Sequence, residues 1–81
     1  IIENIRVPPT RRGFWVPKVN VRDRVSKGQL VAVVEDTNAK EVETLKSPYD
    51  GIVLYMRGNA LVDPLSGNHS FSYGANIGRY P

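Results

Sequence analysis

The chain reads as a small all-β domain, and three observations predict it. No window carries apolar residues at sustained spacings of three and four, so no long amphipathic helix is expected. Short runs rich in β-branched and aromatic residues are instead separated by Gly, Pro, Asn and Asp roughly every eight to twelve positions. At 81 residues, 41% hydrophobic and 23% charged, the chain has an ordinary globular balance but room for only one small core.

Ile1 to Val7 is the first candidate strand, closed by Pro8-Pro9. Phe14-Trp15-Val16 is a short run after Gly13, and Val19-Asn20-Val21 alternates with both valines on one side. Asp23 to Gly28 is polar and ends in Lys27-Gly28, a turn signature. Leu30 to Glu35 is nearly continuous and β-branched, which predicts burial on both faces. Asp36-Thr37-Asn38 reads as a loop and Glu41 to Lys46 as a strand. In Pro48-Tyr49-Asp50-Gly51, proline presets φ and glycine relaxes the end of a turn, and Ile52 to Met56 follows as the second strong strand. Gly58-Asn59 turns again, Leu61-Val62 is brief, and Asp63 to Asn68 is a loop. Phe71 to Tyr73 and Asn76 to Tyr80 close the chain around Gly74. Val21 to Leu30 and Ser72 to Ile77 echo one another about the central Pro-x-x-Gly turn, as two halves related by an approximate two-fold would. Leu30, Val31, Val33, Val34, Ile52, Val53 and Leu54 are the expected core.

Composition excludes much chemistry. There is no cysteine, so there are no disulfides, thiolate metal sites or cysteine nucleophiles. The longest apolar run, Leu30 to Val34, is far too short to span a membrane as a helix. No basic, apolar leader opens the chain at Ile1-Ile2-Glu3-Asn4, and the missing initiator Met suggests a piece of something longer. His69 is the only histidine, set in a loop-like Gly67-Asn68-His69-Ser70, and no nucleophile elbow surrounds Ser26, Ser47, Ser66, Ser70 or Ser72. Glu35-Asp36 and Glu41-x-Glu43 are the densest acidic places and have no calcium-loop spacing, so they read as solvated edge and turn. No phosphate-binding loop motif occurs, and the glycosylation triplet at Asn68 carries no weight without signs of secretion.

Charge is uneven. Residues 1–27 hold seven bases against two acids, net +5, and residues 28–81 hold four bases against six acids, net −2. Arg11-Arg12-Gly13-Phe14-Trp15 sets two bases beside two aromatics, the elements of a stacking groove for single strands. One such cluster is common in β domains, and core packing is the plainer reading of Phe14 and Trp15.

The strongest pattern is Val25-Ser26-Lys27-Gly28-Gln29-Leu30-Val31 followed by Ser47-Pro48-Tyr49-Asp50-Gly51-Ile52-Val53. It resembles the hammerhead barrel of biotinyl and lipoyl domains. Within that pattern Lys40 stands eight residues before Pro48, the separation of the modified lysine in those carriers. Its flanks, Asn38-Ala39 and Glu41-Val42, match neither the methionines of the biotin type nor the Asp-Lys-Ala of the lipoyl type. The chain also resembles the carboxy-terminal domain of zinc-dependent deacylases of the succinylglutamate desuccinylase and aspartoacylase family. The matching residues are the entry Gly13-Phe14-Trp15-Val16-Pro17, the run Val19 to Gln29, Pro48 to Val53, and Gly74 to Ile77. Arg22 departs from that family, which prefers glycine before the aspartate (here Asp23).

The deacylase resemblance implies a flattened barrel-sandwich hybrid over residues 13–81, with residues 1–12 a connector or edge strand from a preceding amino-terminal domain. It implies a non-catalytic domain that narrows the active-site mouth of a hydrolase acting on an N-acyl amino acid or similar amide or ester. Zinc and every catalytic residue would lie in the amino-terminal domain, so no catalytic or metal residue is assigned here. The expected partner is that domain of the same chain. A homo-oligomer is a further expected arrangement, neither membrane nor nucleic acid is an expected partner, and the expected location is cytoplasmic. Arg11 and Arg12 would lie near the crevice between domains, steering an anionic substrate or pairing with the neighbouring domain. The alternative is a biotinyl- or lipoyl-type carrier with Lys40 as the acceptor.

Overall fold

The computed structural model describes residues 3–65 and 74–79. Among the described residues eight strands form: β1 Glu3–Val7, β2 Gly13–Pro17, β3 Arg24–Val25, β4 Leu30–Glu35, β5 Glu41–Lys46, β6 Gly51–Met56, β7 Ala60–Val62 and β8 Ala75–Arg79. They build two four-stranded antiparallel sheets, ordered β1-β8-β6-β3 and β5-β4-β2-β7. The molecule is all-β, with no helix among the described residues, and is flattened to 39 × 25 × 16 Å. The sheets face one another as a sandwich and do not close into a barrel.

The pairing is nested. β1 pairs with β8, β2 with β7, β3 with β6 and β4 with β5, and the remaining pairs are β2–β4 and β6–β8. Moving every strand four places along the chain maps this set onto itself, an approximate two-fold in the topology that matches β3 with β7 and β4 with β8, while Ser72 and Tyr73 of the expected echo lie outside the described residues. Every connection crosses from one sheet to the other except β4–β5, the one hairpin that stays within a sheet.

Val31 to Val34 are all buried, as the unbroken run on inner strand β4 requires. Two expected core residues are not in it. Leu30 is 37% exposed at the strand start, and Leu54 is 39% exposed. Between β6 and β8 the register moves from Val53↔Ile77 to Tyr55↔Asn76, so Leu54 is an extra residue in a bulge. The bulge reverses side-chain parity and turns Met56, not Tyr55, toward the core. Ile52 is half-buried. The remaining core comes from short runs along the chain: Val7, Trp15, Val25, Leu45, Val53, Val62, Ala75 and Ile77.

Three local readings are corrected. Val19 to Val21 is not a strand. Asp23 N donates to Asn20 O at 3.1 Å and Asn20 N donates to Asp23 Oδ2 at 2.8 Å, closing a turn with Arg22 at φ 78°. β3 then arises inside the segment read as polar turn, since Arg22 N donates to Val53 O at 2.7 Å and Val53 N to Asp23 O at 3.0 Å. Gly51 is not relaxing a turn, because its φ is ordinary; an added Cβ there would strike the Gly78 carbonyl. The expected strand Phe71 to Tyr73 lies outside the described residues.

The Lys27-Gly28 turn forms as the sequence predicts. Gln29 N donates to Ser26 O at 2.9 Å, with Gly28 at φ 84° in the position that requires it. Arg22 sits in the same left-handed region with a β-carbon. Replacing Arg22→Gly relieves that conformation and loosens the unfolded chain, and the first effect is the larger. The net expectation is a gain of about 0.5–1 kcal/mol in urea unfolding; an unchanged or lower stability would contradict the strain.

Candidate functional site

Three places on the sandwich carry the residues singled out above. The first is the β4–β5 hairpin. Ala39 N donates to Asp36 O at 3.0 Å and Asp36 N donates to Lys40 O at 2.9 Å, so the tip is Thr37-Asn38. Asp36 Oδ1 accepts from Asn38 N at 2.8 Å and from Lys40 N at 3.0 Å, and Ala39 takes φ 60° between them. The Lys40 side chain is exposed, but its backbone is fixed to Asp36 on the returning side, two residues past Asn38.

The second is the end of the second sheet where β2 begins. The β1–β2 crossover is held by one carboxylate. Glu43 on β5 accepts from Thr10 N at 2.8 Å and Arg11 N at 3.1 Å, and also from Thr10 Oγ1. The acidic pair Glu41-x-Glu43 is thus more than a solvated edge, because Glu43 ties a crossover to an edge strand. Arg12 Nε lies 3.9 Å from Asp63 Oδ2, with the Arg12 side chain 75% exposed, so this pair contributes little. Glu43 therefore meets Arg11 through the backbone amide, and Asp63 meets the Arg12 side chain.

Phe14 and Trp15 separate here. β-alternation turns Trp15 fully inward and leaves Phe14 45% exposed, opposite Leu61 at 40% in the β2–β7 register. The two aromatics therefore cannot form one stacking platform. Phe14 and Leu61 instead make a small apolar patch rimmed by Arg12, Asp36 and Thr37, around a shallow hollow of about 380 Å³.

The third place was not foreseen. Arg24 on β3, Lys27 on its turn and Arg79 on β8 line one open depression of about 750 Å³, with Tyr49 and Asp50 on its wall. The only sequence signal was the basic excess of residues 1–27, because Arg79 lies far along the chain and reaches the others through β6–β8 pairing.

Ser47 is buried, and its hydroxyl donates to Tyr49 O at 2.6 Å, a structural role. His69, Ser66, Ser70, Ser72 and the Asn68 triplet lie outside the described residues. Among the described residues, no three His, Cys, Asp or Glu side chains are grouped to hold a metal ion, and no helix is long and apolar enough to cross a membrane. Neither family models, nor curated proteins, nor solved structures give a match to this chain.

The Glu43 clamp has a direct consequence. Removing it with Glu43→Ala deprives two backbone donors and one hydroxyl of a charged acceptor, a loss of about 1–2 kcal/mol at this partly exposed position. Amide exchange at Thr10 and Arg11 should accelerate well beyond that at Val33; equal protection in the variant would contradict the clamp.

Proposed function

We propose that the chain is the non-catalytic barrel-sandwich domain of a zinc-dependent deacylase that hydrolyses an N-acyl amino acid or a similar amide or ester. The domain packs against an amino-terminal catalytic domain of the same chain and narrows the mouth of its active site, which excludes large substrates. Zinc and the catalytic groups belong to that other domain, and no residue here is assigned to either.

The observation that carries this reading is the state of the Gly13-Phe14-Trp15-Val16-Pro17 entry, the feature that sets the resemblance apart from a plain carrier. It forms inner strand β2, with Trp15 as the largest fully buried side chain and Phe14 turned outward beside Leu61. One short run thus supplies both the centre of the core and an apolar patch suited to a neighbouring domain. Arg22 supports the same reading: its left-handed φ falls where the family prefers glycine. The hairpin weighs against the carrier alternative, since Lys40 is displaced from the Thr37-Asn38 tip. A cytoplasmic location belongs to the same proposal.

The test uses the intact parent protein. We expect bound zinc by metal analysis and hydrolysis of N-acyl amino acids that a chelator abolishes. A parent without zinc and without amidohydrolase activity would overturn the proposal. So would a mass increase on coexpression with a biotin or lipoyl ligase that disappears in Lys40→Ala, which would establish the carrier instead.

A further inference from the structure

The outer face of the second sheet carries one row of paired residues that crosses all four strands. Leu61 on β7 stands opposite Phe14 on β2, Phe14 opposite Glu35 on β4, and Glu35 opposite Glu41 on β5. Residues directly opposite in antiparallel strands point to the same face, with Cβ atoms about 5 Å apart. The row is therefore apolar at one end and acidic at the other. Val16, opposite Val33, continues the apolar part along the strands, and Phe14, Val16, Glu35 and Leu61 help to line an open hollow of about 420 Å³.

The acidic end is unfavourable for the chain by itself, because like charges directly opposite across a ladder repel. Among the described residues, neither Glu35 nor Glu41 accepts a hydrogen bond or forms an ion pair. Lys40, the nearest base along the chain, makes no ion pair with Glu41, and Arg12 on the rim lies beside Asp63. Glu35 is already half-buried next to the exposed Phe14 ring. Any surface that covers Phe14 and Leu61 takes more water from these carboxylates, and two unpaired carboxylates cannot be buried side by side without a cation. The occupant of this face must therefore be apolar where it meets β2 and β7 and basic where it meets β4 and β5.

We infer that the outer face of the second sheet docks a polypeptide surface in which an apolar side chain is flanked by Lys or Arg. The inference rests on the reading that the Phe14–Leu61 patch meets a neighbouring domain, and it adds the chemistry that the contact surface of that domain must present.

The test titrates the 81-residue chain with three acetylated and amidated peptides, Lys-Leu-Lys-Phe-Lys, Glu-Leu-Glu-Phe-Glu and Lys-Ser-Lys-Ser-Lys, followed by amide chemical shifts in about 0.1 M salt. The whole chain carries +3, so unspecific attraction favours the acidic peptide. We expect saturable shifts centred on Phe14, Glu35, Glu41 and Leu61 with the first peptide, and binding weaker by about five-fold or more with the other two. Glu41→Lys should raise the Tm of the free chain, by relieving its repulsion with Glu35, and yet weaken binding of the first peptide by about five-fold or more. Val21→Lys with Leu54→Lys makes the same +2 change at exposed positions off this face and should alter affinity by less than about two-fold. Phe14→Ser should abolish saturation while Trp15 emission stays that of the folded parent. Tighter binding of the acidic peptide, equal binding of the serine peptide, shifts centred elsewhere or no saturation with any of the three would overturn the inference. So would an unchanged affinity in Glu41→Lys. None of these outcomes touches the zinc and hydrolysis test of the intact parent, so the two readings fail separately.

Discussion

Trp15 reaches across the whole thickness of the sandwich, and the space it needs exists because residue 74 has no side chain. The indole rises from β2 in the second sheet and packs on Gly74, which leads into β8 of the first. A Cβ at Gly74 would stand 2.6 Å from the Trp15 Cη2 atom and would also strike the Val7 carbonyl on β1. The contact therefore locks three strands from both sheets at once. In a chain this short, with little apolar area to bury, one fully enclosed indole is a large share of the core.

The rest of the architecture follows from keeping the layers that thin. Gly51 lets β6 approach Gly78 on β8, and the Leu54 bulge shifts parity so that Met56 turns inward. Each strand pairs with its counterpart counted from the other end of the chain, so the sheets are assembled mostly from distant segments. The β4–β5 hairpin, pinned by Asp36, is the local exception, and Glu43 holds the first crossover against it. A fold with this many non-local pairings is expected to form slowly for its size.

Much of this was legible in the residues. The period-two runs and turn residues located most of the strands, and the continuous Leu30 to Glu35 run marked an inner strand. The Lys27-Gly28 turn could be read directly, the deacylase resemblance implied glycine at position 22, and Gly28 and Arg22 both have positive φ. What escaped depends on contacts between distant segments. The bulge at Leu54 is set by pairing with β8, and no local pattern announces it. The two-residue β3 is a strand only because β6 lies beside it. Gly51 looked like a turn residue and is required instead by the Gly78 backbone. The Arg24, Lys27 and Arg79 cluster could not be assembled without knowing that β3 and β8 both flank β6.

The most direct test of the account is the Trp15–Gly74 contact, read through the only tryptophan in the chain. In the parent sequence, emission should be blue-shifted and iodide quenching weak until urea unfolds the chain. Gly74→Ala should lower stability by about 3 kcal/mol or more and red-shift the emission of whatever remains folded, because the ring is pushed from its seat. A Gly74→Ala protein of unchanged stability, with emission and quenching like the parent, would contradict the claim that this contact sets the thickness of the sandwich.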